Sequence, residues 1–163
     1  MKNAFTLVEL MIVIVIIIIL AVAGTGAYSA ARQRLIPDIE ADKIIAMLNT
    51  LRSTAKSSAL CEGVIFEKNG EMQITEAPYI NPSQPCGQTR AQRASFSKSV
   101  SLTKIMVDEA EHDTLQLQFI PPQGNIDFSL EGGQTILTIA ATNAPENFKT
   151  IIINKQSGVI EKK

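Results

Sequence analysis

The sequence predicts an α+β protein in which one long N-terminal helix, membrane-spanning in its first half, packs on an antiparallel, β-rich head. Three observations predict it. From Leu10 to Gly24 the chain is free of charge and dominated by aliphatic residues. Apolar residues then recur at spacings of three and four, through Ile44, Leu48, Leu51 and Ala55, as one face of a helix requires. Beyond Gly63 the pattern changes to short alternating segments broken by turn residues. A helix first and antiparallel strands afterwards is an α+β order.

The first element is the apolar run, whose length matches the about 20 residues that cross a bilayer. One carboxylate, Glu9, stands near its start. An ionised carboxylate in hydrocarbon costs at least about 2.5–3.5 kcal/mol on insertion scales, so Glu9 needs a partner. A secretory signal peptide cut after Ala21-Val22-Ala23 is one alternative, and a carboxylate so early in the apolar stretch argues against it. A plain signal anchor explains the length and leaves Glu9 unexplained.

The helix is expected to continue as an amphipathic rod over 29–62. Lys43, Asn49, Arg52 and Lys56 fall largely off its apolar face. Gly24 and Gly26 lower helix propensity, and Pro37 is expected to bend or interrupt the helix near Gln33 because it lacks an amide donor. Gly63 marks the helix end, which divides the chain into an apolar helix over 5–28, its extension over 29–62 and a head over 63–163.

In the head, Val64-Ile65-Phe66 and Glu71-Met72-Gln73-Ile74 flank Lys68-Asn69-Gly70, a hairpin signal. Short strands are expected at Ser99–Leu102 and Ile105–Val107. Leu115–Phe119 alternates as a strand with one buried face should. Thr135–Ile139 and Lys149–Ile153 follow, separated by Asn143–Asn147, and Val159-Ile160 adds a last piece.

Roughly 130 residues remain outside the apolar run, enough for one modest core. The net charge of −1 excludes a protein held broadly to nucleic acid by its overall charge. A local basic stretch exists: Arg90, Arg93, Lys98 and Lys104, with no acidic residue between Cys86 and Val107. Such clusters contact phosphates, and they are also common on solvated loops. His112, the single histidine, sits in the acidic run Asp108–Asp113, read as a solvated turn rather than a cation site or proton-transfer pair. No nucleophile elbow, phosphate loop or zinc spacing is present, so neither an enzyme, a cofactor nor a metal is expected.

Phe5-Thr6-Leu7-Val8-Glu9 followed by a long aliphatic run resembles the N-terminus of type IV prepilins and type II secretion pseudopilins. The resemblance implies the type IV pilin fold and a leader over 1–4. It implies cleavage by prepilin peptidase between Ala4 and Phe5, with N-methylation of Phe5; Ala4 stands where that family usually carries Gly. Glu9 then occupies the position that contacts a neighbouring subunit's N-terminal amine, which is how a buried carboxylate is tolerated. The implied orientation is single-pass in the bacterial inner membrane, with the head periplasmic and the subunit later at a filament tip. In that compartment the even cysteine count suggests one disulfide, Cys61–Cys86, with two separate thiols as the alternative.

The stretch from Leu115 to Gly124, the Thr135–Ile139 strand, Ile151–Ile160 and Leu51–Ala55 resemble the GspH/FimT group of minor pseudopilins and minor pilins. That implies a structural subunit that helps initiate or cap a type IV pilus or a type II secretion pseudopilus. Its partners would be other pilin or pseudopilin subunits. The alternative is a DNA-binding minor pilin of a competence pilus. The group's basic C-terminal turn reads Gly158-Val159-Ile160-Glu161 here, without either arginine and with Lys162 and Lys163 at the end.

Overall fold

The computed structural model describes residues 7–163 except 59, 82–83, 87–89, 95, 97–98, 129 and 143; the side chains of 23–24, 27, 81, 84–85 and 90–93 are also outside the description. Ala4, Phe5 and Lys98 therefore lie outside the described residues, as do the side chains of Arg90 and Arg93.

One helix, α1 (Leu7–Ser57), runs through both the apolar run and its amphipathic extension. The expected interruption does not occur: Pro37 lies inside α1 and is buried. A proline costs the helix one donor, and a face that packs on the head holds the turn across the gap. That face is the expected one, with Ala41, Ile44, Leu48, Leu51 and Ala55 all buried. The helix ends at Ser57, short of 62, and the next strand already begins at Leu60. Gly63 is thus no helix terminator. It lies within a strand, where a Cβ would stand 2.5 Å from the Leu117 carbonyl oxygen.

Among the described residues eleven strands follow, in two antiparallel sheets. The first sheet contains β1 (Leu60–Glu67), β2 (Met72–Asn81), β3 (Gln84–Cys86), β4 (Arg90–Ala94), β7 (Thr114–Ile120) and β8 (Asn125–Phe128). Its order is β3-β2-β1-β7-β8, and β4 also pairs with β2. The second contains β5 (Val100–Val107), β6 (Ala110–His112), β9 (Gln134–Ala141), β10 (Ala144–Asn154) and β11 (Ile160–Lys162), in the order β11-β10-β9-β5-β6.

The hairpin at Lys68–Gly70 forms as expected, with Phe66 paired to Met72 and Asn69 at φ 55°. β7 alternates as its sequence demands: Leu115, Leu117 and Phe119 are fully buried. They join Val64, Phe66, Ile105, Leu137, Ile139, Ile151 and Ile153 in one core capped by the buried face of α1.

Elsewhere the strands run longer than expected. Val100–Leu102 and Ile105–Val107 belong to one strand with a register shift between Leu102 and Lys104, and Ser99 lies just before it. A second shift lets β10 take up Ala144–Asn147, read above as a loop. The acidic run is a turn only at Asp108 and Glu109, both at positive φ, after which Ala110–His112 pairs back on β5.

Candidate assembly surface

The first half of α1 presents its apolar side chains to the outside. Each large side chain from Leu7 to Val22 that is apolar is 45–75% exposed. Single exposed hydrophobics are ordinary, but a contiguous apolar surface of this kind marks a contact with lipid or protein. Glu9 is the sole charge in that stretch and sits in the first turn of α1, where the positive end of the helix dipole favours a carboxylate. Among the described residues no helix is long and apolar enough to cross a membrane.

The second half of α1 is fastened to the head by two polar joints. At the first, Arg52 Nε donates to the Gly124 carbonyl at 3.2 Å and an Arg52 Nη to the Gly158 carbonyl at 2.7 Å. Both glycines sit at positive φ, 66° and 68°, where the chain turns sharply enough to aim these carbonyls at one guanidinium. A Cβ on Gly158 would come within 2.5 Å of that guanidinium. Sequence reading placed Arg52 off the apolar face and missed this role.

At the second joint, Lys162 Nζ lies 2.7 Å from Asp42 and 3.1 Å from Asp38, and Lys149 Nζ lies 3.4 Å from Asp38. Lys162, ahead of the other partners and beyond what burial takes back, holds the Asp38 carboxyl below its ordinary value. Asp42 and then Asp38 raise the Lys162 ammonium. The lysine at the end of β11 is therefore held against the helix.

The remaining sequence-predicted positions are scattered. Cys61 and Cys86 form a disulfide with a Cα–Cα distance of 5.8 Å, tying β1 to β3. Arg90 and Arg93 have their backbone in β4 of the first sheet, whereas Lys104 lies in β5 of the second, near Glu111. His112 is half-buried in β6. Its neighbour Glu111 pairs with Lys68, and Asp108 accepts from the Gly133 and Gln134 amides at 2.8 and 2.9 Å, which lowers its carboxyl. Among the described residues no three His, Cys, Asp or Glu side chains form a metal group.

A buried carboxylate in the first sheet was not foreseen. Glu62 is 92% removed from solvent's reach by its 8% exposure, faces Glu76 directly across the β1–β2 pair, and sits on the row that continues to Phe119 of β7. Burial, and then the charge of Glu76, pushes its carboxyl above the ordinary value.

No curated protein and no solved structure matches the chain. Residues 1–25 match the family described as the prokaryotic N-terminal methylation motif, and this match supports a type IV pilin-like protein.

Proposed function

We propose that the chain is a minor pilin or minor pseudopilin, made as a prepilin and built into a filament through the exposed half of α1. The observation that carries this reading is the apolar surface from Leu7 to Val22, standing clear of the head on a helix that opens with the methylation motif. In this account the surface is covered by lipid before assembly and by other subunits' helices afterwards. Prepilin peptidase cuts between Ala4 and Phe5, Phe5 is N-methylated, and Glu9 pairs with a neighbour's N-terminal amine. The pairing draws the subunit into register, because the carboxylate in an apolar setting gains most when an opposite charge meets it. The two joints at Arg52 and Lys162 fix the head on the rod, so that helix packing sets the head's position.

The role as initiator or cap rests on the likeness of the head segments to the GspH/FimT group. Mass spectrometry of the membrane-extracted protein tests the processing step: a mature chain beginning at methylated Phe5 supports it, and an intact Met1 end contradicts it. A deletion strain scored together for surface pili, secreted exoproteins and DNA uptake tests the assembly role. Three normal phenotypes would sink it.

A further inference from the structure

A small cavity of about 240 Å³ opens between α1 and the head. Ser29, Arg32, Gln33 and Ile36 line it from the helix, and Ser99 and Ala141 from the head. Its polar lining consists of hydrogen-bond donors: a guanidinium, an amide and two hydroxyls. Among the described residues that line it there is no carboxylate. Arg32 makes no ion pair among the described residues. The Ser29 hydroxyl donates to the Gly26 carbonyl at 2.9 Å, an acceptor that also lies within the helix ladder, so its proton is free to turn to a ligand. The neighbouring cavity shares Arg32 and is lined by Glu40, but that carboxylate is met by Lys43 at 2.7 Å. An unpaired guanidinium set among neutral donors is a seat for an anion.

We infer that this cavity binds the phosphate of a net-negative phospholipid headgroup, in the leaflet on the head's side of the membrane. The inference rests on the membrane-anchored subunit proposed above and adds a ligand and the residues that hold it. Depth selects a lipid over a free anion. From Leu10 to Ala31 the chain carries no charge, a length of about 33 Å at 1.5 Å per residue. The hydrocarbon core of a bilayer is about 30 Å thick. With Glu9 at one boundary, Arg32 is the next charged residue and emerges at the level of the opposite phosphates. Tyr28, 70% exposed and one turn before Arg32 on the same face, stands where aromatic rings settle at a membrane interface.

Size and charge select the part of the lipid that enters. Pockets that enclose a whole small ligand measure about 300–1,000 Å³, and this one is smaller. It suits a headgroup whose acyl chains stay outside, along the exposed apolar helix. The planar fork of Arg32 matches two phosphate oxygens, and the Gln33 amide and the Ser29 hydroxyl donate to the remaining headgroup oxygens. With no carboxylate among the described lining residues, nothing there holds the cation of a choline headgroup, so a net-negative lipid is preferred. A lipid held in this way ties helix and head together at the membrane surface before the subunit leaves the bilayer.

The full chain, extracted from membranes in a mild detergent, is titrated with short-chain phosphatidylglycerol, with phosphatidylcholine of the same chain length and with inorganic phosphate. Native mass spectrometry counts what is bound. The expected result is one phosphatidylglycerol held about tenfold or more tighter than phosphatidylcholine. Arg32→Gln should remove that preference. Arg34→Gln should keep it, because this exposed cation lies two residues on, round the helix from the cavity. Far-ultraviolet circular dichroism checks that both variants stay folded. Equal affinity for the two lipids, a preference that survives Arg32→Gln, or one lost equally in Arg34→Gln overturns the site. Inorganic phosphate that displaces phosphatidylglycerol at equal concentration overturns the lipid assignment. A membrane-bound chain without the preference leaves the anchored reading intact, whereas a chain absent from the membrane fraction overturns the reading on which the inference rests.

Discussion

Replacing Arg52 by alanine should destabilise the protein by about 2–3 kcal/mol. Two hydrogen bonds vanish, at 3.2 Å to Gly124 and 2.7 Å to Gly158, and both acceptors belong to the head while the donor belongs to the helix. Hydrogen bonds to charged groups contribute about 1.5–3 kcal/mol each when buried. Arg52 is half-buried, so water recovers part of each, and the sum is discounted to about half. The aliphatic stem adds to the loss, because its Cγ lies against Gly124. Arg52→Lys keeps a cation with one point of donation and should lose about half as much. Urea unfolding of the full chain in detergent micelles, followed by far-ultraviolet circular dichroism, gives the difference from the midpoint shift at constant slope. A change below about 0.5 kcal/mol for Arg52→Ala would refute the idea that this guanidinium fastens helix to head.

Glu62→Gln should stabilise the protein at neutral pH by about 1–3 kcal/mol, by removing a buried, repelled charge. The raised carboxyl means that wild-type stability is fullest below 4.5 and falls as pH rises through the folded value, so the two proteins should converge in acid and diverge above it. Asp38 works in the opposite sense: its contribution is present above 3.8 and fades as pH falls through the lowered folded value. Lys162 contributes below 10.5 and loses its effect as pH rises through the raised one. Asp38→Asn should therefore cost little near neutrality, less still in high salt, and should flatten the acid limb of an unfolding profile. The double change Cys61→Ser with Cys86→Ser opens a bridge with a sequence separation of 25 and should lower stability by about 3 kcal/mol, measured by the same urea titration. Thr135 is fully buried with a hydroxyl that has no hydrogen-bond partner among the described residues, so Thr135→Val should raise stability by about 1 kcal/mol.

The parts of the fold legible in the sequence are those set by local periodicity. The face of α1 through Ile44, Leu48, Leu51 and Ala55 was readable from spacing alone, as were β7 from its alternation and the hairpin from Asn69-Gly70. Features that depend on distant partners were not. Pro37 suggested a break because a single helix has no support at a missing amide, and the head supplies that support. Gly63 looked like a helix terminator because its true reason, the close passage of the Leu117 carbonyl, lies in another strand. Strand extensions at Ala144–Asn147 and across Leu102–Lys104 rely on bulges, which blur a two-residue pattern.

Glu9 and the apolar run stand out in the sequence because the clash of a charge with its setting is local. Spacing along the chain does not show that the basic stretch divides between sheets, with the backbone of Arg90 and Arg93 in β4 and Lys104 in β5. The roles of Arg52, Lys162 and Glu62 come only from the meeting of helix, turns and strands. A signal for Lys162 existed in Asp38 and Asp42, one turn apart on the helix, but nothing in the sequence said that the last strand would end beside them.

In the function proposed above, Glu9 registers the subunit in a polymer. Its most direct test is the fractionation of Glu9→Ala against wild type, expressed in a strain with its own assembly machinery and followed by immunoblot. The account predicts wild-type protein in both the membrane and the sheared-filament fractions, and Glu9→Ala in the membrane alone. Glu9→Ala recovered from filaments at the wild-type level would contradict it.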